Sequence, residues 1–517
     1  MNKDGSNPTV IPTPKVTWLA NATNTVITGG NFVSVSMGDV NLQHPMTIQR
    51  SIGDSPDSPV VSRFTKELGL DLLSQHIAPG AIHNSAERYD PPKCLPRTRG
   101  AILRKIMAWV EMRAENMELF LWLYGSAGTG KSAIAQTIAE ICEQAGLLAA
   151  SFFLSRTAAG RNDMSRLVST IVYQLVQTIP EIRDRVLTLL GKDPHILSQA
   201  PSSQMRTLVT DPLNTLAPTI LAERPGFIII DGLDECGHPD SQREILKLVA
   251  GGTSQLKTLI LFLIASRVEP IIRLTFNSDI LKFITGTIPL QHSYETREDL
   301  RHYLHTKFQE VKATHPMQQH IPLSWPSEDD IEALVNNATG QFIYSATVVR
   351  YVQSSHHRPE DRLATILAVR SDEDEPFASV DSLYLQILSS VDKGRLEKVL
   401  DILGCLVFVL GEGHDYIKGS TWKLDEFLCY RPGDVDILVS DLHSVIYFPP
   451  PDQPRRAIRI YHQSFCDFLI DRGRAREFFL DSQTIEARLV CRWIPYMEKH
   501  HICERCMHIC RLSVPTF

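Results

Sequence analysis

The sequence has no hydrophobic run long enough to cross a membrane. Its longest apolar run, residues 259–265, has the length of a buried strand, whereas a membrane-spanning helix needs about 20 apolar residues. The first 20 residues carry two lysines, an aspartate and three prolines, and they contain no apolar segment of signal-peptide length. We therefore expect a cytoplasmic protein without a membrane span.

An excess of positive charge and a disulfide framework are also missing. The formal net charge of −7 argues against a broad nucleic-acid-binding surface. Ten cysteines spread over 517 residues do not resemble a secreted disulfide scaffold and are typical of buried thiols in a reducing compartment. No internal repeat period is visible. With 43% hydrophobic and 21% charged residues, the composition predicts a globular chain of two to four domains.

One stretch, Gly125–Ser132, has the spacing of a phosphate-binding loop. It follows the apolar run 119–124 and precedes a helical pattern, which gives the order strand, glycine loop and helix start. Glycines let successive backbone N–H groups face an anion, and the helix N-terminus adds unpaired donors. The alternative is a glycine-rich turn that fits the pattern by chance. The residues predicted to bind nucleotide phosphates are Gly125, Ser126, Ala127, Gly128, Thr129, Gly130, Lys131, Ser132 and Ala133.

Within this loop, two side chains have separate expected roles. Lys131 is expected to reach the β- and γ-phosphates, and the Ser132 hydroxyl is expected to ligate Mg²⁺. A second ligand, Asp231, follows the continuous apolar run 227–230, which is typical of a strand covered on both faces. A carboxylate at that end of a parallel strand lies where ligands bind, so Asp231 is predicted to hold Mg²⁺. The alternative role for Asp231 is a helix N-cap.

Three further charged residues complete the predicted catalytic set. Asp234 and Glu235 follow closely, and either carboxylate can polarise an attacking water molecule. Arg267 follows the apolar run 259–265 and can sense a γ-phosphate through charge-assisted hydrogen bonds. A surface arginine is the alternative interpretation of Arg267.

Strand and helix patterns alternate through the middle of the chain, which predicts a parallel α/β sheet with flanking helices. Beyond it, Thr296 and Ser327 each start a capping-box pattern before a helical period. Short strands at 445–448 and 457–462 with neighbouring helices suggest a winged-helix-like domain. The predicted segments are a polar N-terminal segment (1–62), a helical leading segment (63–115), the nucleotide-binding domain (116–275), a helical domain (276–370), a linker with a winged-helix-like domain (371–482) and a C-terminal helix (483–517).

Both ends of the chain leave alternatives open. Residues 25–42 alternate apolar and small polar residues, which fits a hairpin, a strand-stacking unit shared between copies, or chance alternation in a disordered tail. Near the C-terminus, Cys503 and Cys506 form a Cys-x-x-Cys with a histidine nearby. An amphipathic helix is favoured there over a zinc site, because no second ligand pair stands at finger spacing.

As a set, these motifs resemble the NACHT-domain proteins of the signal-transduction ATPases with numerous domains (STAND), in the nephrocystin-3-like N-terminal type found in fungi. The resemblance covers about residues 63–517. The stretches that carry it are the glycine loop and residues 85–94, 229–235, 265–267, 340–344 and 462–469.

The resemblance implies a P-loop NTPase fold that binds ATP/ADP or GTP/GDP with Mg²⁺, using the residues above. It also implies that His462 contacts the β-phosphate of a bound diphosphate and holds the protein closed; a capping or core histidine is the alternative. Relatives carry a Gly-x-Pro where this chain has Gly340-Gln341-Phe342. Relatives also carry C-terminal ligand-sensing repeats, which have no counterpart in this sequence.

The expected function is therefore a nucleotide-dependent molecular switch in intracellular signalling or self/non-self defence, with slow hydrolysis that resets it. Its expected partners are nucleotide, further copies of itself on activation and an effector reached through the N-terminal segment, with no nucleic acid. Two alternatives remain open. One is a scaffold or decoy that binds nucleotide without turnover, and the other is a P-loop phosphotransferase.

Overall fold

The computed structural model describes residues 59–88, 90–112, 117–156, 158, 160–217, 219–220, 223–257, 259–290, 293–368, 377–409, 421–448 and 458–499. Predictions for residues 25–42, for the linker at 371–376 and for the Cys/His-rich tail lie outside these residues. None of the described cysteines forms a disulfide. Within the described ranges, no helix combines the length and hydropathy that crossing a bilayer requires.

A parallel sheet of five strands, in the order β2-β3-β4-β1-β5, forms the centre of the first part of the chain. Because β4 lies between β1 and β3, the segments that follow these three strands emerge side by side at one edge of the sheet. The strands are β1 (Phe120–Tyr124), β2 (Leu148–Phe153), β3 (Phe227–Asp231), β4 (Leu261–Ser266) and β5 (Thr285–Pro289).

Helices cover both faces of this sheet, because the strand residues alternate between two hydrophobic cores. Ile229 of β3 belongs to the core under α2 and α3, whereas Ile228 and Ile230 belong to the core on the opposite face. The helices of this part are α1 (Pro59–Gln75), α2 (Gly100–Glu111), α3 (Lys131–Gln144), α4 (Leu167–Thr178), α5 (Pro180–Lys192), α6 (Pro201–Met205), α7 (Asp211–Leu213), α8 (Pro239–Ser254) and α9 (Pro270–Phe276).

A single hydrophobic core from Leu300 to Tyr496 organises the rest of the chain. Its described residues are helical apart from an antiparallel pair of short strands, β6 (Ile446–Tyr447) and β7 (Arg459–Ile460), which lies where the sequence predicts the winged-helix-like domain. The helices are α10 (Tyr294–Thr314), α11 (Glu328–Ala338), α12 (Phe342–Val352), α13 (Pro359–Ala368), α14 (Ala378–Ser389), α15 (Leu396–Gly404), α16 (Thr421–Phe427), α17 (Asp434–Leu438), α18 (Gln463–Leu469), α19 (Arg472–Ala475) and α20 (Ser482–Lys499).

The strand order, the glycine loop after β1 and the carboxylate that ends β3 make this a P-loop NTPase fold with a helical, winged-helix-like extension, as the sequence predicted. Apolar patterns at 119–124, 147–154, 227–230 and 259–265 predict four strands, and all four are present in the sheet. The fifth, β5, lies beyond residue 275, where we ended the nucleotide-binding domain, so the sheet extends into the predicted helical segment. The divisions at residues 370 and 482 stay predictions, since the second core includes residues on both sides of each.

Two local predictions were displaced. The capping box at Ser327 is present, but the helix expected to start at Thr296 starts at Tyr294, with Ser293 as its N-cap. Likewise, the spacing of Leu438 and Leu442 predicts a helix that begins at Leu438, whereas α17 ends there. In both places an N-cap residue lies further upstream than expected. The Ser293 side chain accepts the backbone N–H of Thr296, and Gly433 has the left-handed backbone conformation immediately before α17.

Close helix packing joins the leading segment to the sheet domain. A Cβ atom built on Gly191 of α5 would lie 2.0 Å from the carbonyl oxygen of Thr65 in α1, and one on Gly69 would lie 2.1 Å from the carbonyl oxygen of Leu187. Backbone atoms cannot move aside cheaply, so each glycine allows the two helices to approach.

We expect Gly191→Ala to lower the free energy of unfolding by about 2 kcal/mol, because the added methyl group forces α1 and α5 apart. The matched control is Gly251→Ala in α8, where a Cβ meets no atom within 4 Å. There alanine should stabilise slightly, by about 0.5 to 1 kcal/mol, since it replaces a helical glycine. Urea unfolding of both variants tests this; equal effects would contradict the packing argument.

Candidate functional site

The glycine loop connects β1 to α3 in the conformation that an anion site requires. Gly128 and Gly130 have φ angles of +76° and +93°, in the left-handed region that favours glycine. Gly130 directly precedes α3 as its N-cap, and the Thr129 hydroxyl donates to the Ser126 carbonyl across the turn at 2.9 Å. The loop therefore presents the first backbone N–H groups of α3 at the edge of the sheet.

Lys131, the first residue of α3, folds back over its own loop. Its Nζ atom donates to the carbonyl oxygens of Gly125 and Ser126, both at 2.9 Å. Burial lowers the pKa of this ammonium, while Asp234 acts in the opposite direction. Among the described residues it makes no ion pair with a carboxylate within 4 Å, so its charge is available to an anion in the loop.

Ser132 and Asp231 meet at the expected metal position. Asp231 is 4% exposed, and the nearby Ser132 hydroxyl favours the ionised form of its carboxylate by lowering its pKa. Burial nevertheless raises the pKa of Asp231 to about 6, against Ser132 and the charges of Arg88 and Lys131. The Oδ1 atom of Asp231 is buried and has no hydrogen-bond partner in the described structure.

These two oxygen donors fit Mg²⁺, which in nucleotide sites takes one or two protein ligands and completes its shell with phosphate oxygens and water. In the described part of the chain, no group of three or more His, Cys, Asp or Glu side chains is placed to hold a metal by itself. A magnesium ion here would accordingly be shared with the phosphates of a ligand.

Arg267 lies at the exit of β4 and bridges two parts of the protein. Its Nε atom lies 3.0 Å from Asp234 Oδ2, and its backbone N–H donates to Asp234 Oδ1 at 3.0 Å. Its Nη2 atom pairs at 2.6 Å with Oδ2 of Asp467, a residue of α18 in the second part. Burial acts to lower the pKa of Arg267, but Asp467 and Asp234 together hold it above its ordinary value.

The two acidic candidates after β3 therefore differ. Asp234 pairs with Arg267, whereas the one hydrogen bond that the Glu235 carboxylate accepts from the described residues is long, 3.4 Å, from the Arg156 backbone N–H. Burial, followed by the charges of Asp234 and Asp231, raises the pKa of Glu235 to about 7. A carboxylate that titrates near neutral pH can accept a proton from water, so Glu235 is the better general base of the two.

His462 caps the N-terminus of α18 and faces the same site. Its Nδ1 atom accepts the backbone N–H of Ser464 at 3.1 Å. Burial and then the charges of Arg267 and Lys131 lower the His462 pKa to about 3, so the ring is neutral. A neutral imidazole that accepts at Nδ1 carries its proton at Nε2, which makes Nε2–H a donor for an anion.

The second part also contacts the glycine loop directly. The backbone N–H of Ile343, in the first turn of α12, donates to the carbonyl of Gly128 at 3.2 Å. On the other side of the loop, Arg99 Nη2 donates to the Thr129 carbonyl at 2.7 Å, while Arg99 Nη1 donates to Thr296 of α10. The loop is thereby held between the leading segment and the second part.

The predicted site residues thus form one cluster, with the loop residues, Asp231, Asp234, Glu235, Arg267 and His462 at the same edge of the sheet. Sequence reasoning gave no role to the partners that complete it, namely Arg88, Arg99, Arg156 and Asp467. Asp467 and Arg88 lie in stretches that carried the resemblance. Asp467 contacts Arg267, 200 residues away in the sequence, and Arg88 contacts Gln136 only through tertiary packing. No local sequence pattern encodes such contacts.

Comparisons with known proteins find one family model and several solved structures. The family model described as nephrocystin 3, N-terminal, matches residues 101–267. Similar solved structures include the Orc1 protein of Aeropyrum pernix in complex with DNA, at 12% identity and a TM-score of 0.30, covering 80% of this chain and 97% of that one. Another is Cdc6p of Pyrobaculum aerophilum, at 12% identity and a TM-score of 0.33, covering 81% of this chain and 99% of that one. No curated protein matches the sequence.

Proposed function

We propose that this protein is a nucleotide-dependent molecular switch of the NACHT and STAND class, which opens and self-associates when a triphosphate replaces a diphosphate. The observation that carries the proposal is the position of Arg267. Its guanidinium pairs both with Asp234, in the segment that follows β3, and with Asp467 of α18. The match of residues 101–267 to the nephrocystin 3 N-terminal family supports the same class.

Each candidate residue has a defined part in nucleotide binding. The N–H groups of the loop and the Lys131 ammonium bind the phosphates, and the His462 Nε2–H donates to a phosphate oxygen from the second part. Ser132 and Asp231 would hold Mg²⁺, which when bound supplies positive charge to the phosphate oxygens. Because His462 and Lys131 belong to different parts of the protein, a diphosphate bound by both stabilises the association of those two parts.

Competition for Arg267 couples the nucleotide to domain opening. In the described structure the guanidinium pairs with Asp467, and this pair holds α18 against the sheet edge. A γ-phosphate within reach of Arg267 offers a more highly charged partner with several acceptor oxygens, so it displaces Asp467. Loss of this ion pair frees the second part to move, and the exposed surfaces then associate with another copy.

Size-exclusion chromatography with light scattering tests this on the full chain. With Mg-ADP or Mg-GDP we expect a monomer, and with Mg-ATPγS or Mg-GTPγS a larger hydrodynamic radius or a higher mass. Identical elution in all four nucleotides would contradict the switch. Using adenine and guanine pairs together removes the dependence on base preference.

Slow hydrolysis is expected to depend on Glu235. Glu235→Gln should lower the hydrolysis rate roughly 100-fold, because a general base in the transition state contributes at least that factor. Triphosphate binding should persist, since Glu235 holds none of the expected phosphate contacts. In the parent protein, kcat/KM should fall as the pH decreases through about 7, where Glu235 takes up a proton.

The matched control is Glu244→Gln, an exposed glutamate of α8. It should leave both the rate and its pH dependence unchanged. If Glu235→Gln hydrolyses nucleotide at the parent rate, Glu235 is not the general base of the hydrolysis that resets the switch. If no variant and no parent protein hydrolyses nucleotide, the scaffold alternative is favoured.

A further inference from the structure

Arg88 is a buried cation whose contacts are neutral. Its side chain is 92% buried, since the residue is only 8% exposed. Nη1 donates to the Gln136 side-chain oxygen at 2.8 Å and to the His83 carbonyl at 3.4 Å, and the guanidinium lies 3.6 Å from the centre of the Phe153 ring. Arg88 takes part in none of the ion pairs found among the described residues.

These contacts place Arg88 beside the proposed phosphate and metal position. Gln136 lies one helical turn after Ser132 on α3, and Phe153 is the residue of β2 that pairs in register with Asp231 of β3. Of the charges that favour the ionised form of Asp231, that of Arg88 acts more strongly than that of Lys131. Arg88 thus contacts one residue a helical turn from Ser132 and another on the strand beside Asp231, so its guanidinium lies near both.

The energetics of this environment favour an anionic ligand. Burying an arginine without a carboxylate in ion-pair contact costs free energy, and the charges of Asp231 and Glu140 offset this cost only in part. Burial and the nearby charge of Arg161 lower the Arg88 pKa to about 9, which still leaves it charged at neutral pH. An added phosphate oxygen would neutralise this charge without breaking an existing ion pair.

Arg267 differs in this respect. It already contacts two carboxylates, so a phosphate reaches it only at the expense of Asp467. Binding at Arg88 carries no such cost. The two arginines can therefore have separate roles. Arg88 provides affinity for the third phosphate, and Arg267 couples its binding to the release of Asp467.

We propose that Arg88 contacts the terminal phosphate of the bound triphosphate from within the same chain, and that it sets the preference for triphosphate over diphosphate. This inference rests on the proposed nucleotide function. It assigns a binding role to the leading segment, in which Arg88 precedes Gly125, the first residue of the loop, by 37 residues. In a structural role, by contrast, Arg88 would support the fold without distinguishing nucleotides.

The test compares equilibrium binding of Mg-ATPγS and Mg-GTPγS with that of Mg-ADP and Mg-GDP, by competition against a fluorescent nucleotide. Arg88→Gln keeps a side-chain donor for Gln136 but removes the charge. We expect triphosphate affinity to fall roughly 10- to 100-fold, the value of a hydrogen bond to a charged group, with diphosphate affinity changed less than about threefold. Arg88→Lys should recover part of the loss.

Two controls separate this role from a structural one. Arg166→Gln removes another arginine that supports the leading segment, through a 2.9 Å hydrogen bond to the Ile77 carbonyl. Its side chain makes no ion pair or hydrogen bond with a candidate site residue among the described residues, so the variant should leave the affinity ratio unchanged. Thermal unfolding without nucleotide should show Arg88→Gln as stable as the parent or more stable, because a buried charge is removed.

The possible outcomes are distinct. Equal losses of triphosphate and diphosphate affinity, or no loss, would overturn the role of Arg88 while leaving the switch in place. A lower melting temperature without nucleotide and an unchanged affinity ratio would assign Arg88 to the fold. A parent protein that binds none of the four nucleotides would overturn both this inference and the proposed function.

Discussion

Alanine at position 131 is expected to weaken binding of Mg-ATP or Mg-GTP by roughly 100-fold or more, because it removes a charge-assisted contact from a partly dehydrated site. Lys131 is held over the loop by two carbonyl oxygens and pairs with no described carboxylate. Its positive charge is therefore not consumed by the folded protein. Isothermal titration with ADP and with a non-hydrolysable triphosphate measures the loss.

Folding should be preserved in Lys131→Ala, since the substitution removes two hydrogen bonds to loop carbonyls together with a charge that burial disfavours. Lys247→Ala, an exposed lysine of α8, is the control for a lost surface charge. It should bind nucleotide as the parent does. If Lys131→Ala retained parental affinity for both nucleotides, the loop would not be the phosphate site, and the proposed function would lose its basis.

The sequence predicted the parts of this site whose chemistry is local. The glycine loop combines a strand, three glycines and a helix start within a few residues, so its anion-binding form follows from backbone geometry. Asp231 could be predicted because it ends an apolar run at the edge where ligands bind. Arg267 was placed by the same reasoning, but its two carboxylate partners were not.

Other features depend on tertiary contacts and escaped prediction. Strand β5 is the outermost strand on its side of the sheet and contains a glycine, two threonines and a proline. Its residues alternate in exposure, so no apolar run marks it in the sequence. Asp234 and Glu235 were indistinguishable in the sequence. Only the approach of Arg267 to Asp234 gives them different roles.

For His462 the two interpretations are compatible, although the structure shows only one of them. It is the N-cap of α18, which was the structural alternative, and its Nδ1 atom is used in that cap. The cap fixes the tautomer, which leaves the Nε2 proton for a ligand. A sequence pattern cannot separate these roles, because they use different nitrogens of one ring.

The second large effect is expected from Asp467→Ala, which removes the acidic partner of Arg267 on α18. Asp467 also accepts from Arg156 Nη1 at 3.4 Å, so its loss breaks two contacts between the sheet edge and α18. We expect the equilibrium between closed and open forms to shift toward the open form by about 10- to 100-fold, as for removal of a partly buried ion pair. The variant should then self-associate even with ADP bound, as light scattering measures.

Hydrogen exchange gives a second readout. The amides of α18 should exchange faster in Asp467→Ala, while those of β1 and β3 should keep parental protection, because the sheet core is not altered. Asp471→Asn is the matched control, since this exposed aspartate caps α19 and asparagine can retain the cap. Parental mass and parental protection of α18 in Asp467→Ala would show that this ion pair does not hold the two parts together.

Linkage adds a constraint that a merely destabilised variant would not meet. If the γ-phosphate and Asp467 compete for Arg267, then removing Asp467 must raise triphosphate affinity by the same factor by which triphosphate weakens the closed form. Diphosphate affinity should fall or stay level, since in the proposed closed form His462 contacts the diphosphate. Tighter triphosphate binding together with spontaneous opening in Asp467→Ala is thus the combination that competition at Arg267 requires. Opening with weaker binding of both nucleotides would instead indicate general loss of structure.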